Sequence, residues 1–276
     1  MNREISVKTQ YRLIVGGLLG VLLIAGMLRW MACNGSSTVT NNGSGATKMY
    51  LTDSPAQYDA VVVDVIRVEV LMAGSDSTNG WTAVRSDSAN YDLLVLRNGA
   101  RAVLDSAGLV AGHYTQIRLV LGTGSYVVVA GVKYFLTIPS GMESGVKLNC
   151  DFDIVAGQTY ELLLDFDAGQ SIHVTGNGKY MMNPVIRCAA IAASGSIAGV
   201  IVPASANTWV WTIMGADTVE TIADNTTGDF VLQGLIAGTY SIQCVPGVTT
   251  YRDTTLTEIA VVNQQQTIVG TVLLRQ

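Results

Sequence analysis

The stretch VKLNCDFDIVAGQTYELLLDFD, residues 146–167, holds two runs of alternating character around a short turn. Leu148, Cys150, Phe152 and Ile154 alternate with Lys147, Asn149, Asp151 and Asp153. After Ala156-Gly157-Gln158 come Tyr160, Leu162, Leu164 and Phe166, alternating with Glu161, Leu163, Asp165 and Asp167. Successive side chains of a strand point to opposite faces, so each run is a strand with one apolar face and one largely polar face. The turn predicts a hairpin in which Leu148, Cys150, Phe152 and Ile154 oppose Phe166, Leu164, Leu162 and Tyr160. A slip of one residue would turn the apolar set to solvent, so this register is well specified.

Outward from this stretch the same texture continues. Between residues 48 and 276, short β-branched runs alternate with Gly, Asn, Asp, Ser and Thr turns, and no segment carries a helical period. Clear runs include Ala60–Met72, Tyr114–Leu121, Tyr126–Ile138, Tyr180–Ile191, Thr208–Met214 and Thr239–Val245. The reading is an all-β chain of two β-sandwich domains, Ig-like or transthyretin-like, behind an N-terminal signal and a flexible tether. The divisions are 1–32 (signal or anchor), 33–47 (Gly/Ser/Asn tether), 48–193 (first sandwich) and 194–276 (second sandwich). Ala192-Ala193-Ser194-Gly195-Ser196, all small residues, mark the boundary. A turn device recurs in Leu109-Val-Ala-Gly-His-Tyr114, Leu235-Ile-Ala-Gly-Thr-Tyr240 and, one residue longer, Ile154-Val-Ala-Gly-Gln-Thr-Tyr160.

Composition agrees with an exported β protein. Of 276 residues, 49% are hydrophobic and only 13% charged, with a mean hydropathy of +0.37. Global disorder needs the opposite balance. The chain carries 16 Lys+Arg against 21 Asp+Glu, which points away from nucleic acid, because phosphate neutralisation needs surplus cations. Arg3, Lys8 and Arg12 precede an apolar run of 16, Leu13–Leu28, the pattern of an export signal. Beyond it, residues 33–276 hold 12 Lys+Arg and 20 Asp+Glu, a net charge of −8.

The apolar run, Ala32-Cys33 and the tether NGSSTVTNNGSGATK resemble a bacterial lipoprotein signal. That resemblance implies a lipid on Cys33, and Asn34 after it implies the outer membrane or cell surface. An uncleaved anchor and ordinary cleavage nearby are the alternatives. In the first half, Tyr50-Leu-Thr-Asp-Ser-Pro55, Gly112-His-Tyr-Thr-Gln-Ile-Arg-Leu119, Gly145-Val-Lys-Leu148 and Leu164-Asp-Phe-Asp167 resemble the bacterial exported family called domain of unknown function 4382, over residues 48–190. In the second, Gly199-Val-Ile-Val-Pro203, Thr227-Gly-Asp-Phe-Val-Leu-Gln-Gly-Leu235 and Ala237-Gly-Thr-Tyr240 resemble the carboxypeptidase-regulatory-like, transthyretin-like sandwich, over 195–275. This second resemblance implies a carbohydrate-binding-like fold used as a spacer or accessory module.

Catalytic motifs of the Gly-x-Ser-x-Gly, His-Glu-x-x-His and Walker kinds do not occur in the sequence. His113 and His173 read as surface residues, and Asp53 reads as an Asx-turn at a strand end. The acidic face of the hairpin is the most suggestive chemistry. Asp153 would oppose Glu161 directly, with Asp151, Asp165 and Asp167 on the same surface. Opposed like charges destabilise a sheet unless something compensates, and Ca²⁺ with its six to eight oxygen ligands would do so. A solvated face with Lys147 paired to Asp167 is the plainer reading, and Arg118 and Arg187 are further cations for these acids. Trp81, Trp209 and Trp211 are candidates for stacking on sugar rings. The plainer expectation for Trp209 and Trp211 is core packing. Cys150, Cys188 and Cys244 read as buried thiols, with a Cys150–Cys188 disulfide as the alternative.

These features lead to a non-catalytic envelope lipoprotein that presents β-sandwiches for surface interaction or adhesion, with a membrane and a glycan or envelope protein as partners. A carbohydrate- or calcium-dependent binding module is the second expectation, and an unrecognised hydrolase using a carboxylate pair is the third.

Overall fold

The computed structural model describes residues 43–139 and 144–276, and these fall in one compact unit. The first lobe runs β1 (Ser44–Ser54), β2 (Ala60–Met72), β3 (Trp81–Arg85), β4 (Ala89–Asp92), β5 (Ala102–Val110), β6 (Gly112–Leu121) and β7 (Tyr126–Val129). It continues with β8 (Val132–Phe135), β9 (Val146–Ile154), β10 (Thr159–Asp167), the one-turn helix α1 (Ala168–Ser171), β11 (Ile172–Val174), β12 (Tyr180–Met182) and β13 (Ile186–Ala190). The second lobe holds β14 (Ser194–Val202), β15 (Thr208–Met214), β16 (Asp217–Ile222), β17 (Asp229–Ile236), β18 (Gly238–Pro246), β19 (Thr254–Val261) and β20 (Gln266–Leu273).

Two main sheets face each other in the first lobe, β13-β10-β1-β5 and a larger sheet ordered β8-β7-β2-β6-β9 in which β3 and β4 also pair with β2, and β11 and β12 form a separate two-stranded sheet. The second lobe stacks β17-β14-β20 on β16-β15-β18-β19. Each lobe has its own core. Met49, Val63, Ile117, Leu162 and Phe166 belong to the first, and Ile197, Val210, Phe230, Ile242 and Cys244 to the second. Full burial of each such side chain stabilises by roughly 1.5–3 kcal/mol. A 3₁₀ turn, Ile191–Ala193, links the lobes.

The 146–167 stretch folds with the expected faces but a different partner. β9 pairs with β6, whereas β10 pairs in parallel with β1 and antiparallel with β13. The turn at Gly157, where φ is +74°, therefore carries the chain from one sheet to the other. Cys150, Phe152 and Ile154 face Leu162, Leu164 and Phe166 across the sandwich instead of beside it. The rings of Tyr114, Phe152 and Tyr160 stack between the sheets at centroid distances of 5.2 and 5.7 Å. Alternation determines which side of a strand is apolar. It is blind to whether the next strand lies beside it or across from it.

The recurrent corner takes a specific form in two places. The Tyr114 hydroxyl donates to the Val110 carbonyl at 3.0 Å, and the Tyr240 hydroxyl donates to the Ile236 carbonyl at 2.7 Å. In both, the ring that opens a strand ties back to the residue four positions earlier. The run Tyr126–Ile138 divides into β7 and β8 around Ala130 and Gly131, at φ +50° and +75°, the left-handed pair that a tight hairpin requires. Strands β5, β16 and β19 carry weaker alternation and were not legible as clear runs.

Cys150 and Cys188 form a disulfide rather than remaining thiols, and Cys244 stays free in the second core. The bridge joins β9 to β13, on opposite sheets, closing a separation of 38 residues. Loop-closure entropy makes such a crosslink worth about 4 kcal/mol. Urea unfolding of Cys188→Ser is expected to show a loss of about that size, with a smaller loss for Cys244→Ala, which removes one buried sulfur and no crosslink. Equal midpoints for wild type and Cys188→Ser would contradict it.

Candidate functional site

The outer face of sheet β13-β10-β1-β5 is the seam against the second lobe. Strand pairing puts Thr52 and Ser54 of β1 beside Asp165 and Asp167 of β10, with Arg187 of β13 opposite Asp165. Thr52, Ser54, Asp165 and Asp167 are all buried there. Arg187 Nη2 donates to Asp165 Oδ2 at 2.7 Å, and Nη1 donates to the Gly234 carbonyl at 2.7 Å. Nη2 also reaches the Gln233 carbonyl at 3.2 Å. Both carbonyls belong to β17, the edge strand of its sheet.

Further along the same edge a second side chain crosses from the first lobe. The Asn98 amide nitrogen donates to the Asp229 carbonyl at 2.8 Å, and its oxygen accepts from the Val231 N–H at 2.7 Å. An open sheet edge presents unpaired N–H and C=O groups. Here Asn98 and Arg187 close it without a strand. Gly234 permits the approach: its φ is +67°, and a Cβ there would lie 3.2 Å from both guanidinium nitrogens.

The electrostatics follow from burial. Asp165 is pushed up by desolvation, against the pull of the Arg187 charge and hydrogen bond. Glu220 of β16, on the second lobe's side, is pushed up to about 7, first by desolvation and then by Asp167 and Asp165. Asp53 sits on the inner face of β1 and is raised well above the usual carboxylate range by burial. Its Oδ1 accepts from the Ala168 N–H at 3.1 Å, and its Oδ2 has no partner. It is therefore a buried acid that accepts from the first N–H of α1, whose N-cap is Asp167, and not an Asx-turn. A cleft of about 370 Å³ opens along the seam, lined among others by Asp165, Asp167, Gln170, Arg187, Asp217 and Thr218.

The five acids proposed as calcium ligands do not converge. Asp151 and Asp153 flank His113 on the exposed face of the larger sheet, at 3.6 and 2.9 Å. Glu161 accepts from the Tyr50 hydroxyl at 2.8 Å, Asp165 pairs with Arg187, and Asp167 accepts from the Gln170 N–H at 2.7 Å. With β9 and β10 in different sheets, Asp153 and Glu161 never oppose one another. Among the described residues no group of three or more His, Cys, Asp or Glu is placed to hold a metal ion. Lys147 lies 5.6 Å from the Trp81 ring centre rather than on Asp167.

The tryptophans separate as well. Arg118 covers the Trp81 ring at 4.3 Å, and the Trp81 Nε1 donates to the Ser77 carbonyl at 2.9 Å. Trp209 and Trp211 lie on the outer face of β15, while Val210 between them enters the core. The expected core packing is thus reversed. Beside Trp211 stand Glu220 on β16 and Gln243 on β18. His173 is exposed on β11. Cys33 and the expected signal, residues 1–32, lie outside the described residues, among which no helix is long and apolar enough to cross a membrane. Glu220 and Asn98 were not singled out by sequence. The Asn98-Gly99 turn pair was the signal available for the second.

Residues 44–184 match the family described as Domain of unknown function (DUF4382). The chain belongs to that family. Arg187 and Cys188 fall just beyond the matched span. No curated protein matches the chain. Among solved structures it is similar to the Bacillus anthracis TIE protein at 12% identity and TM-score 0.21, covering 85% of this chain and 34% of that one. It spans about a third of the length of that protein's chain. It is also similar to GBS52, the minor pilin of Streptococcus agalactiae, at 11% identity and TM-score 0.24, covering 83% of this chain and 96% of that one. The shaft pilin SpaA of Lactobacillus rhamnosus GG matches at 8% identity and TM-score 0.24, covering 84% and 97%. Scores this low transfer nothing, so the architecture rests on the strand pairing itself.

Arg187→Met leaves Asp165 buried without its cation and two β17 carbonyls without a donor. Urea unfolding is expected to show a loss of about 3–5 kcal/mol, most of it recovered by adding Asp165→Leu. An equal loss in the single and double variants would show that the pair does not hold the seam.

Proposed function

We propose that this chain is a non-catalytic, exported envelope protein that presents a rigid two-lobed β body for surface interaction or adhesion. The seam carries this reading. Its charged groups are spent on structure: Arg187 on Asp165 and on β17, which joins the lobes, and Asp167 on capping α1 within the first lobe. The Cys150–Cys188 disulfide suits an oxidising compartment outside the cytoplasm. Attachment is through a lipid on Cys33, with Leu13–Leu28 as an uncleaved anchor the alternative, at the outer membrane or cell surface. Detergent-phase partitioning of the full chain tests it: the wild type is expected in the detergent phase and Cys33→Ala in the aqueous phase. Unchanged partitioning of Cys33→Ala would overturn the lipid and assign attachment to the apolar run.

A second reading, glycan binding, is favoured by one observation. Trp209 and Trp211, both half-buried, lie on the outer face of β15, an inner strand of its sheet, next to Gln243, whose Oε1 accepts from the Thr255 hydroxyl at 2.8 Å. Two indoles flanked by an oriented amide are suited to stacking on and bonding a sugar ring. Calorimetry against a glycan panel is expected to give heat that Trp211→Ala reduces at least about tenfold in affinity, given roughly 1.5 kcal/mol for one ring contact. No heat with any glycan would sink this reading and leave the first intact.

A further inference from the structure

We propose that β20 is the interface of a two-fold dimer, in which the β20 strands of two copies of this chain pair antiparallel and join two three-stranded sheets into one. β20 ends the order β17-β14-β20 and pairs with β14 alone. The Leu274 N–H donates to the Val202 carbonyl at 2.9 Å. Backbone groups alternate in direction along a strand, so those of Thr271 and Leu273 point away from β14, to the open side. Such an edge is a template for another strand unless charge, proline or a covering element guards it. The other strands that end the four main sheets are guarded: β13, β5, β17, β16, β19, β8 and β9 each carry a charged residue. The β17 edge is also closed by Asn98 and Arg187, and the β5 edge receives Arg85 Nη1 on its Leu104 carbonyl at 2.6 Å. β20 carries no charge, and no Asp, Glu, Lys or Arg occurs between Glu258 and Arg275.

That absence selects the occupant. In a two-fold pair the same strand meets itself, so a charge near the centre would lie close to its own like and weaken the pairing. Copies with a net charge of −8 over residues 33–276 repel one another, and β20 is an edge along which they can approach without opposing like charges. The register follows from the side chains. Ile268 and Leu273 are 65% and 66% exposed. They pair with Ala198 and Val202 of β14, an even separation, and so share the outer face of the sheet. Their own separation on β20 is odd, and the bulge at Gly270, where φ is +76°, restores the parity. A bulge can turn an edge away from a partner, but two-fold related strands carry the same extra residue and stay matched. Ile268 of each copy then lies opposite Leu273 of the other, with the exposed Val202 beside it.

Sedimentation equilibrium of the full chain, in detergent matched to the solvent density, measures the association. The wild type is expected to be a reversible dimer. Ile268→Lys and Leu273→Glu, both at exposed positions, are each expected to raise the dissociation constant at least about tenfold, because each sets a charge twice against an apolar contact. The double variant is expected to return to within about threefold of wild type, since every lysine then faces a glutamate of the other copy. Val110→Lys, at the exposed end of β5, is expected to change nothing. A second measurement needs no variant. The Leu273 N–H points to the open side and gains an acceptor in the dimer, so its hydrogen exchange is expected to slow at least about tenfold from dilute to concentrated protein. A wild type monomeric at every concentration would leave the edge to a strand of another protein and overturn the proposal. A dimer that neither single variant weakens would do the same, as would a double variant no tighter than the singles, or Leu273 exchange that ignores concentration.

Discussion

The buried pair of Arg187 and Asp165 is the constraint on which the arrangement of this molecule depends. A guanidinium presents five donors in a fixed fork, and here they are divided between a carboxylate of its own sheet and two carbonyls of a neighbouring lobe. The pair is buried on both sides, with side-chain exposures of 13% and 11%. Burial of two charges is costly unless the remaining donors and lone pairs are also satisfied. The β17 edge supplies the missing acceptors. The same contact therefore neutralises a charge, closes an open sheet edge and orients one lobe on the other.

That arrangement explains an oddity of β10. β9 is a strand buried on one face only, its residues alternating between core and exterior. From Leu162 to Asp167, β10 is buried on both faces. Leu163 is the apolar residue that interrupts the polar alternation, and it is 2% exposed because its face meets the second lobe. The consecutive Leu162-Leu163-Leu164 was the sign, legible in sequence, of a strand covered on both sides.

The misplaced calcium site has the same origin. Five acids were assembled by assuming that two strands adjacent in sequence are adjacent in a sheet. Short turns usually do join neighbours, but the Gly157 turn spans the sandwich. Both arrangements bury Cys150, Phe152, Leu162 and Leu164, so hydrophobic pattern cannot choose between them. The disulfide partner was ambiguous for a related reason: Cys188 comes within 6.0 Å of Cys150, Cα to Cα, only once β13 has paired with β10 in the opposite sheet. Glu220 and Asn98 were hidden because neither has a local signature. Glu220, a single glutamate between Val219 and Thr221, is pushed up first by burial and then by Asp167 and Asp165, more than fifty positions earlier.

By itself the sequence determined the all-β class, the inward and outward faces of β9 and β10, the Ala-Gly turns before Tyr114 and Tyr240 and the DUF4382-like phrases of the first half. All are local, set by a period of two or by residues within a few positions of each other. The tertiary structure alone decided which sheet each strand joins, that Cys150 and Cys188 meet, that Trp209 and Trp211 lie on the outer face of β15, and that Arg187 of the first lobe reaches the β17 carbonyls of the second. Those outcomes depend on contacts between residues far apart in the chain. Alternation is symmetric between a strand beside its neighbour and one across from it, and only the packing of all the strands together breaks that symmetry.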